Sequence, residues 1–243
     1  MTLLYTKEQK ALIKLIHDVA EQELKPYVAE ADRAGECPAE LYEFGFDLGL
    51  HLVEVPKEYG GTGLDYETTA MIFEELAKVD AGYAITFVTT FVALRNVILA
   101  GTPEQAQYFA DVVKRRQFAA FALTEPNVAS LRSTAVETEE GYLLNASKTF
   151  ITNGGLAQIY IVFCKTNPEA GAHGITAFIV DRNMPGVKVG AEEDKMGLRL
   201  SNTTELILDN VIVPKNRVLG KVGEGMKLAL NALNLSRAFV CTM

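Results

Sequence analysis

The chain has 243 residues, 49% of them apolar and 22% charged, with a mean hydropathy of +0.11. That is enough to bury one large or two ordinary cores, and it excludes collagen-like, disulfide-framework and highly charged disordered classes. Twenty-three basic against 31 acidic residues give a formal charge of −8, which argues against duplex nucleic acid as the main partner.

The charge is uneven. Residues 1–117 carry 11 basic and 19 acidic groups, whereas residues 118–243 carry 12 of each. This shift marks a candidate domain boundary, and a polyanionic ligand meets less repulsion on the second half. Cys37, Cys164 and Cys241 are odd in number and widely spaced, so neither a disulfide framework nor a zinc site is indicated and a cytoplasmic location is expected. The N-terminus shows no basic segment followed by an apolar run, so no signal peptide is expected.

The first half reads as helices. Thr6-Lys7-Glu8-Gln9 is a capping box, Leu12, Leu15, Ile16 and Val19 follow at helical spacing, and Pro26 is expected to close the segment. Pro38 opens a second helix through Leu41, Phe44 and Leu48. The glycines of Tyr59-Gly60-Gly61-Thr62-Gly63 mark a loop. Tyr66 to Val79 and Ala81 to Leu99 are further helices, with Glu74 and Glu75 expected on a solvated face. The second is apolar on most faces, but its uncharged stretch of 14 residues, Ala81 to Leu94, suits a buried helix better than a membrane span. Thr102-Pro103-Glu104-Gln105 starts a helix running to about Arg116.

From Phe118 the period changes. Phe118 to Leu123, Tyr142 to Ile151, Ile159 to Lys165, Ile175 to Val180, Val187 to Val189, Glu205 to Leu208 and Val211 to Val213 are short runs rich in β-formers. Asn153-Gly154-Gly155, Asn167-Pro168, Pro185-Gly186 and Asp209-Asn210 separate them as turns. No helix intervenes, so an antiparallel barrel or sandwich is expected rather than a parallel sheet. Helical spacing returns from Gly223 to Met243 and stops without a terminator. The fold class is therefore α+β: a helical domain over 1–117, a β domain over 118–217, and a helix within 218–243.

Most catalytic signatures are missing. His17, His51 and His173 are scattered without metal spacing, and no nucleophile elbow, dinucleotide fingerprint or Walker loop occurs. Two strand ends stand out: Phe121-Ala122-Leu123-Thr124-Glu125-Pro126-Asn127 and Lys148-Thr149-Phe150-Ile151-Thr152-Asn153-Gly154-Gly155. Both offer backbone groups, Thr hydroxyls and an aromatic face, the set a planar heterocycle requires. Ordinary barrel packing with polar turns accounts for the same residues.

These two segments resemble the flavin-binding stretches of the acyl-CoA dehydrogenase family, a Thr-Glu-Pro turn followed by a Lys-x-aromatic-Ile-Thr-Asn-Gly strand. Pro56 to Asp65, Lys195 to Thr203, Val211 to Pro214 and Gly223 to Met226 resemble other family stretches, in order along the chain. The resemblance implies a helical domain, a flavin-binding β-barrel and the first helix of a C-terminal bundle that is mostly absent. It implies FAD, an acyl-CoA substrate, an electron-transfer flavoprotein or similar acceptor, and a homo- or hetero-oligomer. Carried over by position, Phe121, Leu123 and Thr124 meet the flavin pyrimidine edge, Phe150 packs on the ring, Thr152 hydrogen-bonds near N5, and Ile151 between them is a further cofactor-binding residue. Asn234 and Arg237 face the acyl-CoA. The implied reaction is α,β-desaturation of an acyl-CoA thioester.

Two departures from the family pattern bear on this. Only 24 residues separate Glu125 from Phe150, about four fewer than the pattern, so Val128-Ala129 follows a missing pyrophosphate loop and Ser130 is not equated with its Ser. Ser236 stands where a minority of members place the catalytic Glu, and no catalytic residue is assigned in this chain. Two readings follow: a dehydrogenase flavoprotein, or a redox-inactive acyl-CoA-binding or interaction subunit.

Overall fold

The computed structural model describes residues 5–127 and 131–243. Helix α1 (Lys7–Val19) begins with the expected capping box, in which Thr6 Oγ1 accepts from the Gln9 amide and Gln9 returns its side-chain oxygen to the Thr6 amide. Pro26 does not end this segment. The chain widens into a π-helical stretch over Ala20–Leu24 and continues as α2 (Lys25–Ala34). Pro26 thus lies in the first turn of α2, where a missing amide hydrogen costs little. Gly35, at φ 75°, supplies the left-handed cap that stops it.

Helices α3 (Ala39–Asp47), α4 (Tyr66–Val79), α5 (Ala81–Ala100) and α6 (Pro103–Lys114) follow the expected order. Asp65 and Asp80 cap α4 and α5, and Thr102 with Gln105 forms a second capping box on α6. The apolar helix α5 is the centre of the helical half, with Phe87, Val88, Phe91 and Val97 fully buried. Glu75 is not solvated: it is buried on α4, accepts from Lys78 Nζ at 2.6 Å and lies 3.2 Å from His17 Nδ1.

Eight strands make one sheet: β1 (Phe118–Ala122), β2 (Thr134–Glu137), β3 (Tyr142–Thr152), β4 (Ala157–Lys165), β5 (Ile175–Asp181), β6 (Val187–Glu192), β7 (Thr203–Val213) and β8 (Val218–Leu219). The order is β6-β7-β3-β2-β4-β5-β8, with β1 also on β4. The sheet is antiparallel except that β1 runs parallel to β4 and a single pair joins β2 to β4 in parallel. That parallel pairing corrects the purely antiparallel expectation, because the β2–β3 excursion serves as the crossover that a helix usually provides.

Asp209-Asn210 is not a turn but a bulge within continuous β7. Asn210 sits at φ 53°, and its amide donates to Asn145 Oδ1 at 3.0 Å. Alternate residues of β4 serve two cores: Ile159, Ile161 and Phe163 join the helices, while Tyr160, Val162 and Cys164 face β3 and β7. A strand buried on both faces reads as a continuous apolar run. Helix α7 (Gly225–Val240) returns to the helical half and packs on α5 and β5.

Candidate flavin-facing site

The local architecture of the site starts from a kink in β3. Lys148 pairs with Leu206 and Ile151 with Thr204, so three steps on β3 oppose two on β7. This bulge breaks the alternation of faces: Lys148 and Thr149 are both buried, and Phe150 takes φ 55°. A Phe in left-handed conformation carries strain, which marks functional sites more often than ordinary strand interiors. The bulge leaves the Phe150 ring 62% exposed. The Thr149 amide donates to the Thr124 carbonyl at 3.0 Å, which sets the two sequence-predicted segments side by side.

Beneath them lies an ion pair that sequence reasoning missed. Lys148, fully buried, donates from Nζ to Glu125 Oε1 at 2.7 Å, to the Phe163 carbonyl at 2.6 Å and to the Leu123 carbonyl at 3.3 Å. Glu125 also accepts from the Arg132 amide at 2.5 Å, the Ser133 amide at 3.2 Å and the Ser133 hydroxyl at 2.5 Å. Burial opposes its charge, but Lys148, Ser133 and the Arg132 amide outweigh burial and hold the carboxyl below its usual value. Both residues stand in the two segments singled out from the sequence, but nothing there signalled that they pair.

Of the predicted contact residues, Leu123 and Thr124 line a cavity of about 530 Å³ with Leu131, Lys165, Ile175 and Met226. Phe121 is half-buried with its ring 5.0 Å from that of Phe163. Among the described residues, no protein partner engages the Thr124 or Thr152 hydroxyl, so both are available to a ligand. Ile151 is 2% exposed and its side chain belongs to the sheet core, which leaves its main chain to meet a ligand. Val128, Ala129 and Ser130 lie outside the described residues.

Asn153 fixes the far end of the strand. At φ 62° and fully buried, it donates from Nδ2 to the carbonyls of Thr86 on α5 (2.7 Å) and Ala119 on β1 (3.2 Å). The strand end is thereby tied to the helical half.

Helix α7 supplies the remaining predicted residues. Arg237 follows Met226 by 11 residues, about three turns, and so returns to the Met226 face. Arg237 Nη1 donates to Asn234 Oδ1 at 3.2 Å, and both residues are exposed. Ser236 points elsewhere. It is buried between α7 and α5, donates to the Ala232 carbonyl at 2.7 Å and accepts from Arg95 Nη1 at 3.0 Å. Arg95 was also missed; it stood as the first charge after an apolar run and gave no other signal.

Comparison with known proteins bears on this arrangement. Residues 6–114 match the family model for the acyl-CoA dehydrogenase N-terminal domain, and residues 120–211 match that for the middle domain. An acyl-CoA dehydrogenase of Bacillus subtilis is 41% identical over 238 residues, covering 96% of this chain and 63% of the relative. The structure of butyryl-CoA dehydrogenase from Megasphaera elsdenii superposes with a TM-score of 0.94 at 39% identity, over 100% of this chain and 65% of that one. An acyl-CoA dehydrogenase from Bacillus anthracis, solved as a complex with FAD, superposes with a TM-score of 0.84 at 33% identity, over 97% of this chain and 41% of that one. The chain thus spans under two thirds of the length of these relatives.

Proposed function

Because the chain belongs to the acyl-CoA dehydrogenase family, we propose that it forms the flavin-facing and thioester-facing part of an FAD-dependent acyl-CoA dehydrogenase. The observation that carries this reading is the exposed Phe150 ring on a strained bulge, flanked by the hydroxyls of Thr124 and Thr152, which no described residue engages. A flavin ring needs one aromatic face and a few edge donors, and these residues fit it. When bound, FAD supplies the acceptor for the β-hydrogen of the acyl chain, which leaves as hydride.

The chain's own residues bind and orient. Phe150 would cover a ring face and Thr124 and Thr152 would donate to ring heteroatoms, while Glu125 with Lys148 keeps the two strand ends in register from below. Arg237, with Asn234 beside it, presents a cation toward the anionic CoA portion. Ser236 has no carboxyl group with which to remove an α-proton. An electron-transfer flavoprotein or similar acceptor would take the electrons onward, in an oligomer, within the cytoplasm.

A second reading, a redox-inactive acyl-CoA-binding subunit, is favoured by that Ser and by the 24-residue spacing between Glu125 and Phe150. One experiment separates them. FAD added to the purified chain gives a stoichiometric, structured visible spectrum that bleaches with butyryl-CoA under anaerobic conditions, in the presence of any longer form of the protein. Thioester binding without flavin binding overturns the first reading and supports the second.

A further inference from the structure

The least expected group in the helical half is Arg95. It stands 3% exposed on α5, the most apolar helix. Transferring such a cation out of water costs several kcal/mol unless partners replace the lost solvation. Here the replacement is nearly complete. Nε and Nη2 donate to the two Glu54 oxygens at 2.9 and 2.5 Å, and Nη1 donates to Ser236 Oγ at 3.0 Å. The Phe239 ring covers the guanidinium at 4.2 Å, and the Tyr66 ring lies 5.6 Å away.

Ser236 and Phe239 are one turn apart on α7, so Arg95 grips this helix at two adjacent points. Among the described residues, Arg95 to Ser236 is the side-chain hydrogen bond that joins α7 to the helical half. The other contacts of α7 there are apolar or aromatic: Leu228 and Ala229 join the helical core, and the Phe239 ring meets that of Tyr66 edge-on at 5.9 Å. At its start, α7 is held to β5 by the Gly223 amide donating to Thr176 Oγ1 at 2.9 Å. At the far end, which bears Asn234 and Arg237, the polar tie among the described residues is Arg95, with Phe239 packed against both Arg95 and Tyr66. A 10° rotation of a helix moves the tip of an outward side chain by about 1 Å, a displacement that can cost about 100-fold where geometry matters.

We propose that Arg95 is a positioning residue. Held by Glu54 and gripping Ser236, it sets the rotation of α7 and so places Arg237 and Asn234 toward the acyl-CoA without touching it. This inference rests on the proposed function only for what Arg237 and Asn234 meet; the clamp itself is a matter of geometry.

A spin-label distance reads it directly. Cys241, the C-cap of α7, is exposed, whereas burial pushes the Cys37 and Cys164 thiols up to about 12 and leaves them unreactive. With Glu104→Cys at the start of α6 as the second site, nitroxide labels report the separation of α7 from the helical half. The wild-type pairing is expected to give one narrow distance. Arg95→Met and Ser236→Ala are each expected to broaden or shift it and to weaken butyryl-CoA binding about tenfold. The double variant is expected to be no worse than either single, and Ser236→Thr, which keeps the hydroxyl, to retain the narrow distance. An unchanged distance in both single variants overturns the proposal, even if their melting temperatures fall. Failure of the wild-type chain to bind butyryl-CoA overturns the functional reading instead, and the distances then decide the clamp alone.

Discussion

Two buried acid–base pairs, one in each half of the molecule, carry the same formal charges and behave in opposite ways. Glu125 receives Lys148 together with two amides and a hydroxyl, and its carboxyl is held below the ordinary value. Among the described residues Glu54 receives only Arg95, and burial outweighs the guanidinium, so its carboxyl is pushed above the ordinary value. The difference lies in the number of donors around the carboxylate rather than in Coulomb attraction. One pair is woven into the backbone of the β half; the other is a removable clamp between two helices.

The largest effect that can break this comparison is removal of one partner. Lys148→Met is expected to cost about 3–5 kcal/mol in chemical denaturation, because it strands a buried carboxylate. Replacing both partners then separates the pairs. Glu54→Leu with Arg95→Met is expected to return to within about 1 kcal/mol of wild type, as buried pairs replaced by apolar groups often do. Glu125→Leu with Lys148→Met is expected to remain at least about 2 kcal/mol less stable, because the Arg132 and Ser133 amides and two carbonyls lose their partners. Equal recovery in both would contradict the distinction.

Flavin affinity sharpens it further. Lys148 lies beneath the Phe150 bulge, so Lys148→Met, measured where the variant is still folded, is expected to weaken FAD binding by more than about tenfold, the scale of one to two hydrogen bonds. Arg95→Met, on the other side of α7, is expected to change it by less than about twofold.

The pH dependence follows with opposite signs. A carboxyl whose folded value is lowered contributes stability that is present above its unfolded value, near pH 4.3, and is lost as pH falls through the folded value; this is Glu125. A raised carboxyl binds its proton more tightly when folded, so stability at Glu54 rises as pH falls through that raised value. Wild type is therefore expected to gain stability relative to Glu54→Gln as pH is lowered from neutrality toward the ordinary carboxylate range. A constant difference over that range would contradict the raised value. The smallest effect is expected from Phe150→Gly, which removes an exposed ring from a left-handed backbone position. Thermal stability should stay within about 1 kcal/mol of wild type.

Much of the scaffold was legible because its signals are local. Capping boxes at Thr6 and Thr102, and the Asn153-Gly154 turn, are read from neighbours a few residues away. What was not legible depends on contacts across the chain. Pro26 looked terminal because a π-helical widening cannot be seen in spacing. Asp209-Asn210 looked like a turn because the same residues that favour left-handed backbone serve turns and bulges alike. Within the site, Phe150, Ile151 and Thr152 were legible as a motif, whereas the bulge that exposes the Phe150 ring and buries the Ile151 side chain is invisible in sequence. Lys148 and Arg95 were missed for a shared reason: their partners lie 23 and 41 residues away.

Fluorescence and visible-absorbance titration of the purified chain with FAD, run in parallel on Phe150→Ala and Thr152→Val, tests the central claim most directly. The wild-type chain is expected to show a saturable one-site change, with affinity reduced more by Phe150→Ala than by Thr152→Val. The Thr152→Val loss should be roughly 2–10-fold, the scale of one hydrogen bond. A wild-type titration without spectral change, or affinity indifferent to both substitutions, would contradict a flavin held at these strand ends.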